Sequence, residues 1–370
     1  LKKKTPREAV LIARACIEEF ADWLQKIDDG DIVDRISESY QSMPFDILKK
    51  AAACPQVNIR DIYDYCITEM SKKKYSGLDM ADYFNDLLMK LSKDINPEAF
   101  IELQYQLLDK VQDKSSYAAE KILDRIIEFY NSRRQSAKAR KCVEDNIQIE
   151  SFREQVVEKR IKQKKFSEAK KLVLDYTGRS ENKYHSDIWD EYLLQIARAE
   201  NDIPAIRSIS YSFIKDGFKK EYYRIYKSAF SPGEWPEMFE KLIRHYETKK
   251  SFLGDDAADL LAFEGMAERL LEHIGKNLSL ESLEDYYTVF AAAFPEKTLA
   301  LFRTVLDRYA ESNLGRTSYE HIARTFVRMN KIPGGEAAAA EIKAQYLVKY
   351  KNRRAMVEIL GGNQRRARRP

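Results

Sequence analysis

WDEYLLQIARAENDIPAIRSISYSFIKDG, residues 189–217, is the stretch that best indicates how this chain folds. The spacing W-x-x-Y-L-x-x-I in its first half predicts a helix with one apolar side, formed by Trp189, Tyr192, Leu193 and Ile196. The acidic turn at residues 200–202 interrupts this pattern, and the spacing A-x-x-x-I after it predicts a second helix that ends at Gly217. The stretch therefore predicts two helices joined by a short turn.

The same two-helix pattern recurs on both sides of this stretch. The apolar pair in the second helix has counterparts 36 residues earlier and 34 residues later: Ala205 with Ile209, Ala169 with Val173, and Phe239 with Ile243. A period near 34 residues, a large residue that opens the first helix and a small residue in the second are close to the tetratricopeptide layout. The unit departs from that layout at Leu193, where the repeat has glycine, and at Gly217, where it has proline.

We therefore predict an all-α fold, a tetratricopeptide-like α-solenoid of antiparallel helix pairs with about sixteen helices. The composition agrees, because 13 glycines and 10 prolines in 370 residues are too few for the turns of a β-sandwich or barrel. Helix-start signals such as Asn96-Pro97-Glu98 separate the segments. We predict degenerate repeats in residues 1–150, tetratricopeptide-like repeats in residues 151–362 and a flexible basic tail in residues 363–370.

Basic residues suggest an alternative function, direct nucleic-acid binding through helix ends and the tail. The 63 lysines and arginines nearly balance the 59 acidic residues, and the four arginines of residues 363–370 account for the whole net charge of +4. The rest of the chain has no overall field to attract nucleic acid, so binding would depend on local groups. The tail could instead serve only solubility. The candidate residues for nucleic-acid contact are Arg353, Arg354, Arg365, Arg366, Arg368 and Arg369.

Basic runs upstream of the tail lie at residues 72–74, within residues 133–141 and at residues 162–165. Each run has acidic residues close to it on a predicted helix or at a helix end. Solvated helix faces and favourable charge near helix C-termini explain such runs without a ligand. We therefore predict that most of these runs are solvated helix faces or helix ends.

A cluster of aromatic residues is the second feature that could bind nucleic acid. It consists of Tyr222, Tyr223, Tyr226, Phe230, Trp235 and Phe239, set among Lys219, Lys220, Arg224 and Lys227. Exposed rings with basic neighbours can stack on the bases of a single strand. Steps of three and four residues between Tyr223, Tyr226 and Phe230 are equally typical of the buried side of a helix. We favour packing over base stacking.

Motifs that carry catalysis or hold metal ions do not occur in the sequence. There is no GxSxG, P-loop, GxGxxG, C-x-x-C or HExxH pattern, and the cysteines lie in the first half while the histidines lie in the second. We therefore predict a protein that is not an enzyme and has no cofactor or metal site in this chain. Scattered cysteines fit a reducing cytoplasm, and the apolar runs are far shorter than the ~18 residues of a membrane span.

The last hundred residues carry the most specific patterns. Y-x-x-x-A at Tyr319 and Ala323 precedes the pair Gly334-Gly335. The closing pattern Y-x-x-R-x-A-[LM]-x-x-x-L falls on Tyr350, Arg353, Ala355, Met356 and Leu360. With these patterns the chain resembles the C-terminal helical region of bacterial SWIM zinc finger proteins, clearly from residue 150 onward and loosely before it. Arg354 stands where proline is common in that family.

The resemblance implies a helical scaffold that accompanies a zinc-binding module. The zinc motif of the family, C-x-C followed by C-x-H, is absent from this sequence, so we expect zinc only in a segment upstream of Leu1. The resemblance does not imply what the scaffold binds, but an array of helix pairs offers a concave surface for extended or helical ligands. We therefore predict a non-enzymatic scaffold with a protein or peptide partner in the groove of the solenoid, while contact with nucleic acid is possible through the full-length protein. We expect a monomer, and the residues that contact the partner stay unpredicted.

Overall fold

A computed structural model describes residues 5–24, 26, 42–70, 72–75, 80–92, 95–178, 187–249 and 254–362. In these residues the fold is all-α, with twenty α-helices, a short 3₁₀ helix at Lys73–Tyr75 and no strand. The first ten helices are α1 (Pro6–Leu24), α2 (residues 42–52), α3 (Ile59–Met70), α4 (Met80–Leu91), α5 (Pro97–Lys110), α6 (Tyr117–Ser132), α7 (Ser136–Asp145), α8 (Glu150–Lys162), α9 (Phe166–Thr177) and α10 (Ile188–Glu200).

The second ten helices follow without any other element between them in the part of the chain that the structure describes. They are α11 (Ile203–Ile214), α12 (Lys220–Ser228), α13 (Trp235–Thr248), α14 (Asp256–Phe263), α15 (Ala267–Lys276), α16 (Leu280–Phe290), α17 (Pro295–Ser312), α18 (Arg316–Met329), α19 (Gly335–Lys349) and α20 (Arg354–Gly361). The all-α prediction is therefore confirmed.

Two compact units divide the chain, Leu1–Tyr192 and Leu193–Pro370. In the first unit, a large hydrophobic cluster joins α1 to α5, and a smaller one joins α6, α7 and α8 around Ile126 and Phe152. In the second unit, one cluster of buried side chains extends along the chain from Ile214 to Leu360. The predicted division at residue 150 concerned the regularity of the repeats and stays a prediction.

Within each unit, helices pack mainly against helices that are close to them in the chain. In the first unit α5, α6, α7, α8 and α9 contact one another in succession, and in the second unit the same holds from α13 through α20. Second neighbours add contacts between α14 and α16, between α17 and α19, and between α18 and α20. Each helix pair therefore buries its apolar side against adjacent helices, as expected where stability is spread along the chain.

One turn geometry joins four of the helix pairs. One or two residues after the end of each first helix, a residue has a left-handed backbone, and the four residues are Arg134 (φ 58°), Lys164 (φ 59°), Asn201 (φ 58°) and Gly265 (φ 68°). The N–H of the next residue donates to the carbonyl five residues back, at 2.8 Å from Gln135 to Tyr130 and 2.8 Å from Lys165 to Arg160. This is the Schellman arrangement, which satisfies carbonyls at the end of a helix.

The described residues contain twenty α-helices, more than the predicted sixteen, and a turn of this kind accounts for part of the difference. Arg134 and Lys164 adopt the left-handed conformation in segments that contain neither glycine nor proline. A non-glycine residue pays about 1–2 kcal/mol for that conformation, and the packing of the helix pair offsets this cost. Around Arg134 no glycine or proline signals the turn, so the boundary between α6 and α7 is missed in the sequence.

Within residues 189–217, some of the positions predicted to face the core are wrong by one residue. Trp189, Tyr192 and Ile196 are buried as predicted. In contrast, Leu193, Ala205 and Ile209 are only half-buried. The buried positions are their neighbours Leu194, Ile206 and Ser210.

The turn geometry explains this shift. In all four pairs the residue five positions after the left-handed one is buried: Ala139, Ala169, Ile206 and Leu270. Ala169 therefore corresponds to Ile206, 37 residues later, and not to Ala205. The other predicted apolar positions, Val173, Phe239 and Ile243, are buried.

Candidate interaction surface

A groove in the first unit lies among α6, α7 and α8. It has a volume of about 180 Å³. The apolar part of its lining consists of Ile127, Ala139, Val143 and Val156. Its charged edge consists of Arg140, Glu144 and Lys159, and Lys159 forms an ion pair with Glu144, which leaves Arg140 as the cation without an ion pair to any described residue. The groove can therefore accept one apolar side chain while a charged group of the same ligand meets Arg140 at its edge.

Local sequence determines the shape of this groove. The left-handed turn at Arg134 starts α7 at Ser136, and this start directs the small side chain of Ala139 inward. On the opposite wall Val156 is buried on α8. Lys159 donates to Glu144 at 2.9 Å, and this hydrogen bond lowers the pKa of the Glu144 carboxyl. One ion pair therefore ties α7 to α8 next to the groove.

Exposed cations recur at the same positions of two neighbouring helix pairs. Residues 133–171 contain thirteen lysines and arginines but only six acidic residues. Six of these cations form three pairs with a spacing of 30 residues, and each pair has one member in α6–α7 and one in α8–α9. The pairs are Arg134 with Lys164, Arg140 with Lys170, and Lys141 with Lys171. We call these six residues the basic face. All six are exposed.

Most of the basic face is not neutralised by the fold. Lys141 forms an ion pair with Asp145 at 3.0 Å. Among the described residues, the other five cations have no ion pair within 4.0 Å. The chain as a whole is nearly neutral, yet this part of its surface is locally positive, and a local field attracts anionic groups.

The structure separates the two described arginines of the predicted nucleic-acid site. Arg353 is half-buried, donates from Nη1 to the carbonyl of Ala310, and lies 4.2 Å from the ring centroid of Tyr350. Its guanidinium therefore serves packing between α17 and the start of α20. Arg354 is exposed at the first position of α20. Arg365, Arg366, Arg368 and Arg369 lie outside the described residues.

The aromatic cluster is part of the hydrophobic core, as the packing interpretation predicted. Tyr223, Tyr226 and Phe239 are buried, and Tyr222 stacks on Phe213 with ring centroids 4.0 Å apart. Trp235 is partly buried. These rings are therefore engaged by neighbouring side chains.

Cations cover several rings of the same region. Lys227 lies 5.6 Å from the ring centroid of Trp235, and Lys220 and Arg224 each lie 5.3 Å from that of Phe263. Such contacts stabilise by about 0.5–1 kcal/mol at exposed sites. The basic neighbours that suggested phosphate binding in the sequence therefore have a packing role here.

Two histidines form hydrogen bonds with carboxylates in the second unit. His273 Nε2 lies 2.8 Å from Asp255, which also accepts from the N–H of Ala258 at the start of α14. His321 Nε2 lies 2.8 Å from Glu284, which is buried and also pairs with Arg328 at 2.7 Å. In each case the carboxylate is occupied by several donors from adjacent helices. These pairs therefore connect helices of the fold.

We expect the His273–Asp255 pair to make stability depend on pH. The hydrogen bond that the His273 ring donates to Asp255 raises the pKa of His273 against its burial, with Glu247 adding to the rise and Lys276 opposing it. Burial alone would raise the pKa of Asp255, but the bonds from His273 and from the N–H groups of Ala258 and Ala257 lower it overall.

The sign of the pH effect follows from these directions. The contribution of His273 to the stability of the folded state is complete below about pH 6.5, the pKa of histidine in the unfolded chain. It is lost as pH rises through the higher pKa that His273 has in the folded state. The Asp255 contribution is present above about 3.9 and is lost as pH falls below that. A double-mutant cycle with His273→Gln and Asp255→Asn, followed by thermal unfolding, should give a larger coupling at pH 6 than at pH 8.5. Equal coupling at both pH values would contradict this expectation.

Cysteines and acidic residues do not assemble a metal site in the described part of the chain. No group of three or more His, Cys, Asp or Glu side chains there could hold a metal ion. Cys66 and Cys142 are buried, and burial raises the pKa of their thiols to about 12 and about 11, respectively. Both thiols therefore stay protonated and pack as small apolar groups.

No protein-family model matches the chain, and neither curated proteins nor solved structures give a match. Among the described residues, no helix has both the length and the apolar character needed to cross a membrane. The groove, the basic face and the packing of successive helices are therefore the observations from which a function can be argued.

Proposed function

We propose that this chain is a non-enzymatic helical-repeat scaffold that binds a protein or peptide partner in a groove between its helices. The observation that carries this proposal is the turn shared by four helix pairs, together with packing between successive helices. A turn that recurs between helix pairs and packing between successive helices both fit an α-solenoid, in which each repeat contacts its neighbours and the extended surface serves binding. The chain acts as a monomer and needs no cofactor of its own.

The groove among α6, α7 and α8 supports a protein ligand. Recognition of peptides by helical proteins combines an apolar groove that takes anchoring side chains with polar groups at its edge. Ile127, Val143 and Val156 offer the apolar surface, and Arg140 lies at the edge. Catalysis has no comparable support, since the histidines of the second unit are occupied in contacts between helices.

The patterns around Gly334-Gly335 and residues 350–360 support a more specific proposal. We infer that the chain is the helical part of a SWIM-type zinc finger protein, and that zinc belongs to a segment outside these 370 residues. In such a protein the zinc module would contact nucleic acid or protein, while the helical part would hold a second partner.

Direct nucleic-acid binding is the second candidate, and the basic face is the observation that favours it. A fluorescence-anisotropy titration with labelled single-stranded and duplex DNA and RNA separates the two functions, at low salt of ~50 mM to favour phosphate contacts. The scaffold proposal expects no saturable binding by the chain. Saturable binding that survives deletion of residues 363–370 would reject the scaffold proposal, because only the folded surface could cause it.

A photo-cross-linking residue placed in the groove tests the scaffold function directly. Gln155 is exposed and lines the groove, whereas Arg324 is exposed on α18 in the other unit and serves as the control position. In cells, the reagent at position 155 should give one discrete protein adduct that the reagent at position 324 does not give. Adducts to nucleic acid alone, or the same adducts from both positions, would count against a partner in this groove.

A further inference from the structure

We propose that the groove and the basic face together bind an acidic peptide segment of a partner protein, with one apolar side chain of that segment in the groove. This inference rests on the scaffold function proposed above and adds the chemical class of the partner. The site combines two observations that do not depend on each other, the apolar lining among α6, α7 and α8 and the recurring cations on α7, α9 and their turns.

Arg140 connects the two parts of this site. It lines the groove, and it is also one of the cations that recur 30 residues later, at Lys170. Its Nε donates to the carbonyl of Ser136 at 3.2 Å, which leaves the outer N–H groups of the guanidinium for a ligand. A carboxylate that follows an anchored apolar side chain can therefore reach Arg140 first and the other cations next.

The pattern of charge favours carboxylates as the ligand. An acidic peptide can place each carboxylate opposite one cation, and complementary charge of this kind gives specificity and fast association. Arginine and lysine differ in geometry, but each can donate to a carboxylate. The repetition of three cationic positions in two consecutive helix pairs fits an extended or helical ligand that crosses both pairs.

A nucleic-acid strand fits this surface less well. Glu144, Glu158 and Glu168 lie among the cations and form ion pairs with Lys159, Lys162 and Lys165, so these three lysines are already engaged and are not free to contact phosphates. None of the groove's lining residues is aromatic, so no ring in the groove can stack on a base. A peptide can avoid those carboxylates by its side-chain spacing, whereas phosphates occur at every nucleotide.

Fluorescence anisotropy with the full chain and four labelled probes tests the proposal. The first probe is a synthetic helical peptide with leucines on one side and glutamates on the other. The second has lysine in place of every glutamate, the third has serine in place of every leucine, and the fourth is oligothymidylate of matching length. We expect the first probe to bind most tightly, with at least about tenfold weaker binding by the serine peptide, a difference set by the apolar anchor.

Three variants assign the binding to this site. Gln155→Trp places a bulky side chain at the exposed edge of the groove, and the double variant Arg140→Glu with Lys170→Glu reverses two charges of the basic face. Each should weaken binding of the first probe at least about tenfold. Arg324→Glu is the matched control on the exposed side of α18 and should leave binding unchanged. All of these positions are exposed, and circular dichroism checks that each variant is folded.

The possible outcomes distinguish this inference from the scaffold function. The lysine peptide could instead bind tightly and lose this binding in Gln155→Trp. That result would overturn the acidic class of partner but would not contradict the scaffold function. Oligothymidylate could instead bind more tightly than the acidic peptide and lose this binding in the double charge-reversal variant. That result would overturn both the acidic class of partner and the scaffold function. If no probe binds, the inference fails, and the cross-linking result at Gln155 then decides the scaffold function separately.

Discussion

Gly335→Ala should lower the free energy of unfolding by about 3 kcal/mol, at the upper end of what overpacking usually costs. A Cβ atom at this position would lie 1.8 Å from the carbonyl oxygen of Met329 and 2.7 Å from its carbonyl carbon. Both atoms belong to the backbone at the end of α18, so no side-chain rotation can relieve the clash. The end of α18 and the start of α19 would have to move apart.

Urea denaturation followed by far-UV circular dichroism measures this effect, and Gly275→Ala is its control. Gly275 is an exposed glycine in α15, and an added Cβ there meets no atom within 4 Å. This control should be stabilised by up to about 1 kcal/mol, because alanine favours the helix interior over glycine. Equal midpoints for wild type and Gly335→Ala would show that the approach of α18 to α19 is looser than described.

Trp189→Ala should destabilise the chain by about 3–5 kcal/mol, the usual loss for a buried tryptophan. Trp189 is 0% exposed, its ring lies 4.7 Å from that of Tyr176, and its Nε1 donates to Glu150 at 3.0 Å. The substitution therefore leaves a large cavity and removes the hydrogen bond to α8. Chemical denaturation gives the change in stability.

Two further tryptophan variants separate the causes. Trp23 is 40% exposed on α1, so Trp23→Ala should cost much less than Trp189→Ala. Trp189→Phe keeps most of the ring volume but loses the bond to Glu150, and its cost should fall between wild type and Trp189→Ala. If Trp23→Ala lowered the free energy of unfolding as much as Trp189→Ala, Trp189 would not be a central core residue.

The sequence predicted the helices well where apolar spacing and capping residues agree. Asn96 caps α5 by accepting from the N–H of Ala99 at 3.3 Å, and Pro97 occupies the first turn, as predicted. The spacing around Trp189 likewise placed that residue and Tyr192 correctly in the core. These signals work because they act within a few residues of the chain.

Other features could not be predicted, because they depend on contacts between distant residues. Arg353 was a candidate for nucleic-acid contact, but its guanidinium donates to the carbonyl of Ala310, 43 residues earlier. The Gly334-Gly335 pair was visible only as a pattern, whereas its cause is the close approach of the Met329 carbonyl. The basic run within residues 133–141 suggested plain solvation, and only the shared turn aligns its Arg140 and Lys141 with Lys170 and Lys171 of the next helix pair.

Packing between successive helices also has a consequence for how the chain folds. Contacts that join nearby segments give a low contact order, and small helical domains of this kind fold within microseconds to milliseconds. A helix pair such as α8–α9 can close its own turn before more distant parts of the chain are made, so folding can begin during synthesis and proceed from any formed pair to its neighbours. The apolar side of a newly formed pair then stays exposed only until the next pair along the chain is made and covers it.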